Sequence, residues 1–232
     1  MYRPARAGAI KAMRGSIDFW DFFNLVVVAR GLGLREATFR KMFEYLDRMS
    51  HPLIIVETGC VRTAGNWQGD GQSTVLFDKY ISSRDSESVL YSVDSNADAI
   101  AQAKNLVGDR VKLTQDDSVK FLNNLTGQLL EEGKTIDLLY LDSFDIDWVY
   151  WYPSAAHHLK ELCAAIRGIR KDSLVAVDDS PRDGHFATGT SRKPHFVAEP
   201  AIGGKGRLVA EFAAACGAKL EFADYQAAWS GF

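Results

Sequence analysis

The sequence predicts one α/β domain built on a doubly wound, mostly parallel sheet. Three observations predict it. Short apolar runs alternate with amphipathic stretches of helical length through most of the 232 residues. Four of those runs stop at acids: Ile54-Ile55-Val56-Glu57, Leu90 to Asp94, Ile136 to Asp142, and Ser173 to Asp179. The joints between runs and helices are short, which implies parallel pairing through right-handed crossovers. Parallel strands that end in carboxylates set a ligand site along the C-terminal edge of the sheet.

Composition narrows the classes. Hydrophobic residues make up 47% and charged residues 25%, the balance of an ordinary globule. A net charge of −3 favours neither nucleic acid nor an anionic membrane as a partner. Cys60, Cys163 and Cys216 are odd in number and widely spaced, which argues against a disulfide framework and for a reducing compartment. Cys60 reads as a small buried residue, since no base is recognisable beside it. The apolar segment Phe19 to Ala29 follows basic residues but is interrupted by Asp21 and Asn24, and it is too short to span a bilayer. The expectation is a cytoplasmic protein with a small-molecule partner, its state as monomer or homo-oligomer left open.

The elements follow in order. Residues 1–15 are a basic arm. Ser16 to Arg30 reads as a helix capped by Ser16. Leu34 to Met49 reads as a second, with Phe39, Met42, Phe43 and Leu46 on its apolar side, broken by His51-Pro52. These two form a helical cover, 1–50, on a catalytic unit, 51–232. Strands are expected at 53–57, 89–93, 110–114, 136–141, 173–177 and 218–223. Helices are expected at 72–82, 96–106, 117–131, 153–167 and 205–216. The segment 180–204 holds Pro181, Gly184, Gly189, Pro194, Pro200, Gly203 and Gly204, and reads as a long loop of the functional-lid kind.

Several residues at strand ends are candidates for a site. Glu57 and Gly59 precede a wide glycine loop up to Gly71, with no G-x-G-x-x-G turn. A carboxylate there suits a cationic or amino-bearing ligand. Asp94 ends the second strand, where an acid accepts hydrogen bonds from ribose hydroxyls. Ser95 or Asn96 can cap the next helix, leaving Asp94 for a ligand. Asp117 can cap its helix or meet an adenine amino group; Lys120 rules out a capping box.

In this order the pieces resemble the class I S-adenosylmethionine-dependent methyltransferases, over about residues 50–225. The matching pieces are Val56-Glu57-Thr58-Gly59, Val93-Asp94, Asp117-Ser118, and Ile136-Asp137-Leu138-Leu139-Tyr140-Leu141-Asp142. The resemblance implies a Rossmann-like, seven-stranded sheet. It implies S-adenosylmethionine as cofactor, held by Glu57, Thr58, Gly59, Gly71, Ser73, Asp94, Ser95, Asp117 and Ser118. The chain departs from the family in the long insertion between Gly59 and Gly71.

Asp142, Asp178 and Asp179 carry a narrower resemblance. Adjacent parallel strands bring them to one rim. Three carboxylates without a basic partner in sequence are costly unless a cation or protons neutralise them. Hard oxygen ligands suit Mg²⁺, Ca²⁺ or Mn²⁺. The set resembles the metal-dependent O-methyltransferases of the catechol and macrolide-sugar kind. That implies a divalent cation on Asp142, Asp178 and Asp179 that binds two hydroxyls of the acceptor. The family often has Lys or His three residues after the fourth-strand acid; Asp145 stands there, as base, metal ligand or solvated acid. Asp142 and Asp145 are thus the catalytic candidates. His157 and Glu161 share a helix face as a surface pair or a metal pair. His185 and His195, with Arg182, Arg192 and Lys193, could close on an acceptor. Trp148, Tyr150, Trp151 and Tyr152 either wall an acceptor pocket or anchor a helix. The expected activity is methyl transfer to a hydroxyl of a small sugar-like or natural-product-like acceptor. The alternatives are a divalent-metal hydroxylase or hydrolase, and a non-catalytic ligand-binding protein with a degenerate cofactor site.

Overall fold

The computed structural model describes residues 18–70, 72–188 and 194–232, with backbone alone for 184–188, 194–196, 199 and 200. The basic arm and Ser16 lie outside the described residues. Helix α1 runs through Phe19–Phe22, a π-helical turn at Phe23–Val27, and Val28–Arg30. Asp18 caps it, its carboxylate accepting from the Trp20 amide at 2.8 Å. A 3₁₀ turn at Gly33–Arg35 leads into α2 (Glu36–Leu46).

The alternating core follows: β1 (Ile54–Thr58), the short α3 (Trp67–Asp70), α4 (Ser73–Arg84), β2 (Val89–Asp94), α5 (Ala97–Lys104) and β3 (Val111–Gln115). Then come α6 (Ser118–Glu131), β4 (Ile136–Leu141), α7 (Tyr152–Ala165) and β5 (Ile169–Val177). The segment read as a loop is instead an antiparallel hairpin, β6 (Arg182–Thr188) with β7 (Pro194–Ile202). Proline is tolerated there because each strand of a two-stranded ribbon keeps a free edge. Gly189, Arg192 and Lys193 lie outside the described residues, as do the side chains of His185 and His195. Helix α8 (Arg207–Cys216), β8 (Lys219–Ala223) and β9 (Ala227–Ser230) complete the chain.

The large sheet has the order β3-β2-β1-β4-β5-β9-β8. Its strands are parallel except β9, which is antiparallel to both β5 and β8. This is the seven-stranded Rossmann-like sheet that the resemblance implied. Residue patterns show six of its strands; β9 is four residues long and half alanine, a weak strand signal. The chain winds from β1 out to β3, then crosses back to β4, so strand order reverses between β1 and β4. Ligands of such sheets bind in the crevice outside the strand ends at that point.

Period-two alternation divides the core between the sheet's faces. Ile55, Leu138, Tyr140, Leu174 and Ala176 pack with Phe39, Phe43, Phe77 and Tyr80. Val56, Leu139, Leu141, Val175 and Val177 pack with Leu122, Leu125, Leu162 and Val209. The N-terminal helices are continuous with the first core: Phe39 stacks on Tyr140 with centroids 5.8 Å apart, and Phe43 meets Phe19 at 4.6 Å. That packing fixes Arg35, just before α2, over the C-terminal edge of the sheet. Among the described residues, no helix is long and apolar enough to cross a membrane.

Candidate active site

A cleft of about 190 Å³ opens at the C-terminal ends of β1, β2 and β4, lined in part by Gly59, Cys60, Ser73, Asp94, Ser95, Asp142 and Asp145. Gly59 leaves β1 at φ 80°, and a Cβ there would stand 2.5 Å from the Asp142 carbonyl oxygen. Only glycine lets the ends of β1 and β4 approach so closely. The Asp94 carboxylate accepts from the Cys60 amide at 3.1 Å and from the Asn96 amide at 2.8 Å. Asn96 caps α5. Two backbone donors thus orient Asp94 on the cleft wall, and each of its oxygens keeps a further lone pair. Cys60 is buried, and burial with Glu57 and Asp94 holds its thiol protonated.

Glu57 and Thr58 do not reach the cleft. Glu57 is 0% exposed, and its oxygens accept from Ser73 Oγ at 2.5 Å, Thr74 Oγ1 at 2.8 Å and Ser92 Oγ at 2.6 Å. Burial pushes its carboxyl up to about 7, which the three hydroxyls oppose. Glu57, expected to contact a ligand, here faces inward and holds Ser73 and Thr74 at the start of α4. Thr58 is also buried and donates to Glu161 at 3.2 Å. Gly71 lies outside the described residues. Asp117 caps α6, accepting from the Lys120 amide at 2.9 Å. Ser118 is buried with its Oγ 3.0 Å from His157 Nε2. Neither is among the residues that line the cleft.

The glycine loop is tied by Asp70, which accepts from the amides of Arg62 at 2.9 Å and Thr63 at 3.1 Å. Arg62 then reaches across to Asp145 at 2.9 Å. The Asp145 side chain is 74% exposed and pairs with Arg62 at the mouth of the cleft. Tyr150, Tyr152 and Phe144 stand exposed in the stretch that follows Asp142 and Ser143. Glu161, read with His157 as a surface pair or a metal pair, is fully buried and accepts from Ser143 Oγ at 2.6 Å, with His157 Nε2 at 3.4 Å. His158 beside it is buried, which pulls its imidazole down to about 4.

Asp142, Asp178 and Asp179 converge as expected, with one oxygen of each within 4.8 Å of the others. The expected lack of a basic partner is overturned. Arg35 donates from Nε to both oxygens of Asp178, at 2.8 and 3.1 Å, and from an Nη to Asp179 at 3.1 Å. Lys205 Nζ bonds Asp142 and lies 3.0 Å from Asp179. Tyr225 donates to Asp179 at 2.5 Å, and its ring lies 4.8 Å from the Arg35 guanidinium. Burial alone would strip Lys205 of its proton, but Asp142, Asp179 and Asp178 outweigh it and hold the ammonium charged. Burial likewise pushes Asp179 up, and Lys205 and Arg35 more than reverse this. Burial raises Asp142, and Lys205 offsets only part of that rise. With both cations in place, the donor set does not fit a divalent ion. Sequence reasoning missed Arg35, Lys205 and Tyr225. The run Gly203-Gly204-Lys205-Gly206 is a signal for the second; Arg35 and Tyr225 leave none.

No family model matches the sequence, and no curated protein matches it. Solved structures do. An O-methyltransferase from Bacillus cereus in complex with SAH is 13% identical, over 96% of each chain, with a TM-score of 0.48. Streptomyces venezuelae DesVI is 11% identical over 94% of this chain and 100% of its own, with a TM-score of 0.49. The MycE methyltransferase of the mycinamycin biosynthetic pathway, in complex with Mg and SAH, is 15% identical over 61% of this chain, with a TM-score of 0.41. This chain matches 30% of the length of MycE. Likenesses at this level carry no argument about chemistry, which rests on the site itself.

Proposed function

We propose that this chain is an S-adenosylmethionine-dependent methyltransferase acting on a hydroxyl of a small, sugar-like or natural-product-like acceptor. One observation carries the reading: the Asp94 carboxylate, oriented by the Cys60 and Asn96 amides, stands on a cleft at the β1–β4 reversal point. An acid so placed receives a ribose diol. Gly59 lets a ligand approach the backbone at the same edge, and Ser73 and Ser95 add hydroxyls to the wall. When bound, S-adenosylmethionine supplies an activated methyl on a sulfonium. The part of this chain would be to orient the acceptor hydroxyl and to take its proton on a carboxylate of the cleft. Asp142 is the candidate, because it lines the cleft and burial raises its carboxyl above the usual carboxylate range. The exposed rings of Tyr150, Tyr152 and Phe144 offer faces on which a sugar or ring acceptor stacks. Most of the catalysis is positioning.

A metal-assisted version of this reaction has in its favour the three carboxylate oxygens within 4.8 Å of one another. Against it stand Arg35 and Lys205, which already pair with them. Isothermal calorimetry with S-adenosylmethionine and S-adenosylhomocysteine tests the main reading. One site per chain, weakened in Asp94→Ala, is expected; no heat of binding from either ligand would sink it.

A further inference from the structure

We infer that Lys205 is the chain's own cation at the carboxylate centre, and that its ammonium takes the place a divalent metal would fill among Asp142, Asp178 and Asp179. The inference rests on the proposed function only for what the centre serves, not for what occupies it.

The partners are already complete. Asp178 receives both of its bonds from Arg35 Nε. Asp179 receives Arg35 and Tyr225 on one oxygen and Lys205 on the other. Asp142 receives Lys205. An ammonium with three donors bridges two carboxylates in the way a hard cation would.

The backbone around Lys205 is shaped to deliver it. Gly204 has φ 58°, and a Cβ there would overlap the Asp179 carbonyl oxygen. A Cβ on Gly206 would stand 2.5 Å from Ser180 Oγ. The Lys205 amide donates to the Asp179 carbonyl at 3.0 Å, and the Gly203 amide to that of Pro181 at 3.0 Å. The glycines let this segment lie flat against the turn after β5, itself bent through a left-handed Asp179 at φ 43°. From there the side chain, 2% exposed, ends among the carboxylates.

Charge explains why a residue and a metal exclude each other here. Three carboxylates face two cations. A divalent ion added to that set would have to displace Lys205 from Asp142 and Asp179. Without Lys205, the carboxylates would face Arg35 alone and be left two charges short of neutral, the charge of one divalent ion. Lys205 is thus a positioning residue: it holds Asp142 at the cleft floor without touching an acceptor.

The test is Mn²⁺ titration of the chelator-treated full chain, followed by electron paramagnetic resonance. The parent is expected to bind no Mn²⁺ in the micromolar range. Lys205→Met should gain one site per chain, with affinity up by about tenfold or more from the loss of one close positive charge. Lys205→Arg keeps the charge and should stay without the site. Asp178→Asn in the Lys205→Met background should remove the gained site. A parent that binds one Mn²⁺ per chain, lost in Asp178→Asn, overturns the inference. So does a Lys205→Met variant with native circular dichroism and no gained site. Should Lys205→Met not fold, the parent and Lys205→Arg titrations decide alone. Calorimetry with S-adenosylhomocysteine on the same samples keeps the two readings apart: failure to bind it removes the proposed function and leaves the Mn²⁺ result standing.

Discussion

Asp94 and Asp178 both stand where a parallel strand gives way to its loop, yet one lines an open cleft and the other is 1% exposed beneath an arginine. The difference lies in their partners. Asp94 is held by two backbone amides of its own neighbourhood, which orient a carboxylate and leave lone pairs free. Asp178 is held by a guanidinium 143 residues away in sequence, whose Nε reaches both of its oxygens while an Nη goes to Asp179. An acid satisfied by backbone remains available to a ligand; an acid desolvated and paired with a cation is spent on structure. The β1–β2 side of the edge therefore keeps a carboxylate open to a ligand, and the β4–β5 side is a cation-paired platform that supports Asp142.

The largest effect should come from breaking the platform. Arg35→Ala leaves Asp178 buried and unpaired, and should cost about 3–5 kcal/mol in denaturant unfolding. Arg35→Lys should recover only part, because an ammonium cannot reproduce the fork. A loss under about 1 kcal/mol for Arg35→Ala would erase the contrast between the two sides. Next, Asp94→Ala should weaken S-adenosylhomocysteine by about 1.5–3 kcal/mol, roughly 10- to 100-fold, with the unfolding midpoint little changed. Calorimetry reads this, and unchanged affinity would show that the free acid binds nothing.

Glu57 sharpens the comparison, since it lies on the binding side yet is buried without a cation. Its carboxyl is raised from 4.5 to about 7 by burial. The stability it contributes is full below the unfolded value and is lost as pH rises through about 7. The shift corresponds to about 3 kcal/mol. Glu57→Gln does not titrate, so its melting temperature should gain on the parent between about pH 5 and about pH 8. A difference that stays flat with pH would mean Glu57 is not held up. The smallest effect belongs to Asp145→Asn. Its pair with Arg62 is solvent-exposed, so stability should move by less than about 1 kcal/mol and cofactor affinity not at all. A larger fall in affinity would make the mouth pair part of the binding surface.

Much of the fold was legible before any coordinates. Strand and helix positions from β1 to β5 follow from periodicity, because apolar runs of buried parallel strands are long and continuous. The hairpin β6–β7 was not legible, because its glycines and prolines read as breakers. Strand β9 was too short and alanine-rich to announce itself. In the site, the cleft positions of Gly59, Asp94 and Asp142 were legible because those residues stand where strands end. The inward direction of Glu57 was not, because strand-end logic cannot tell an acid that points along the edge from one that points to Ser73, Thr74 and Ser92.

By itself the sequence determined the alternation of strands and helices from β1 to β5 and the acids at the strand ends, since both follow from local pattern and from the geometry of a parallel sheet. Which acids are free was decided only by tertiary structure. Arg35 reaches Asp178 and Asp179 because the aromatic core seats α2 on the sheet. Lys205 reaches Asp142 and Asp179 because two glycines lie flat against the turn after β5. Charge neutralisation acts through space at about 3 Å, and no spacing along the chain encodes it.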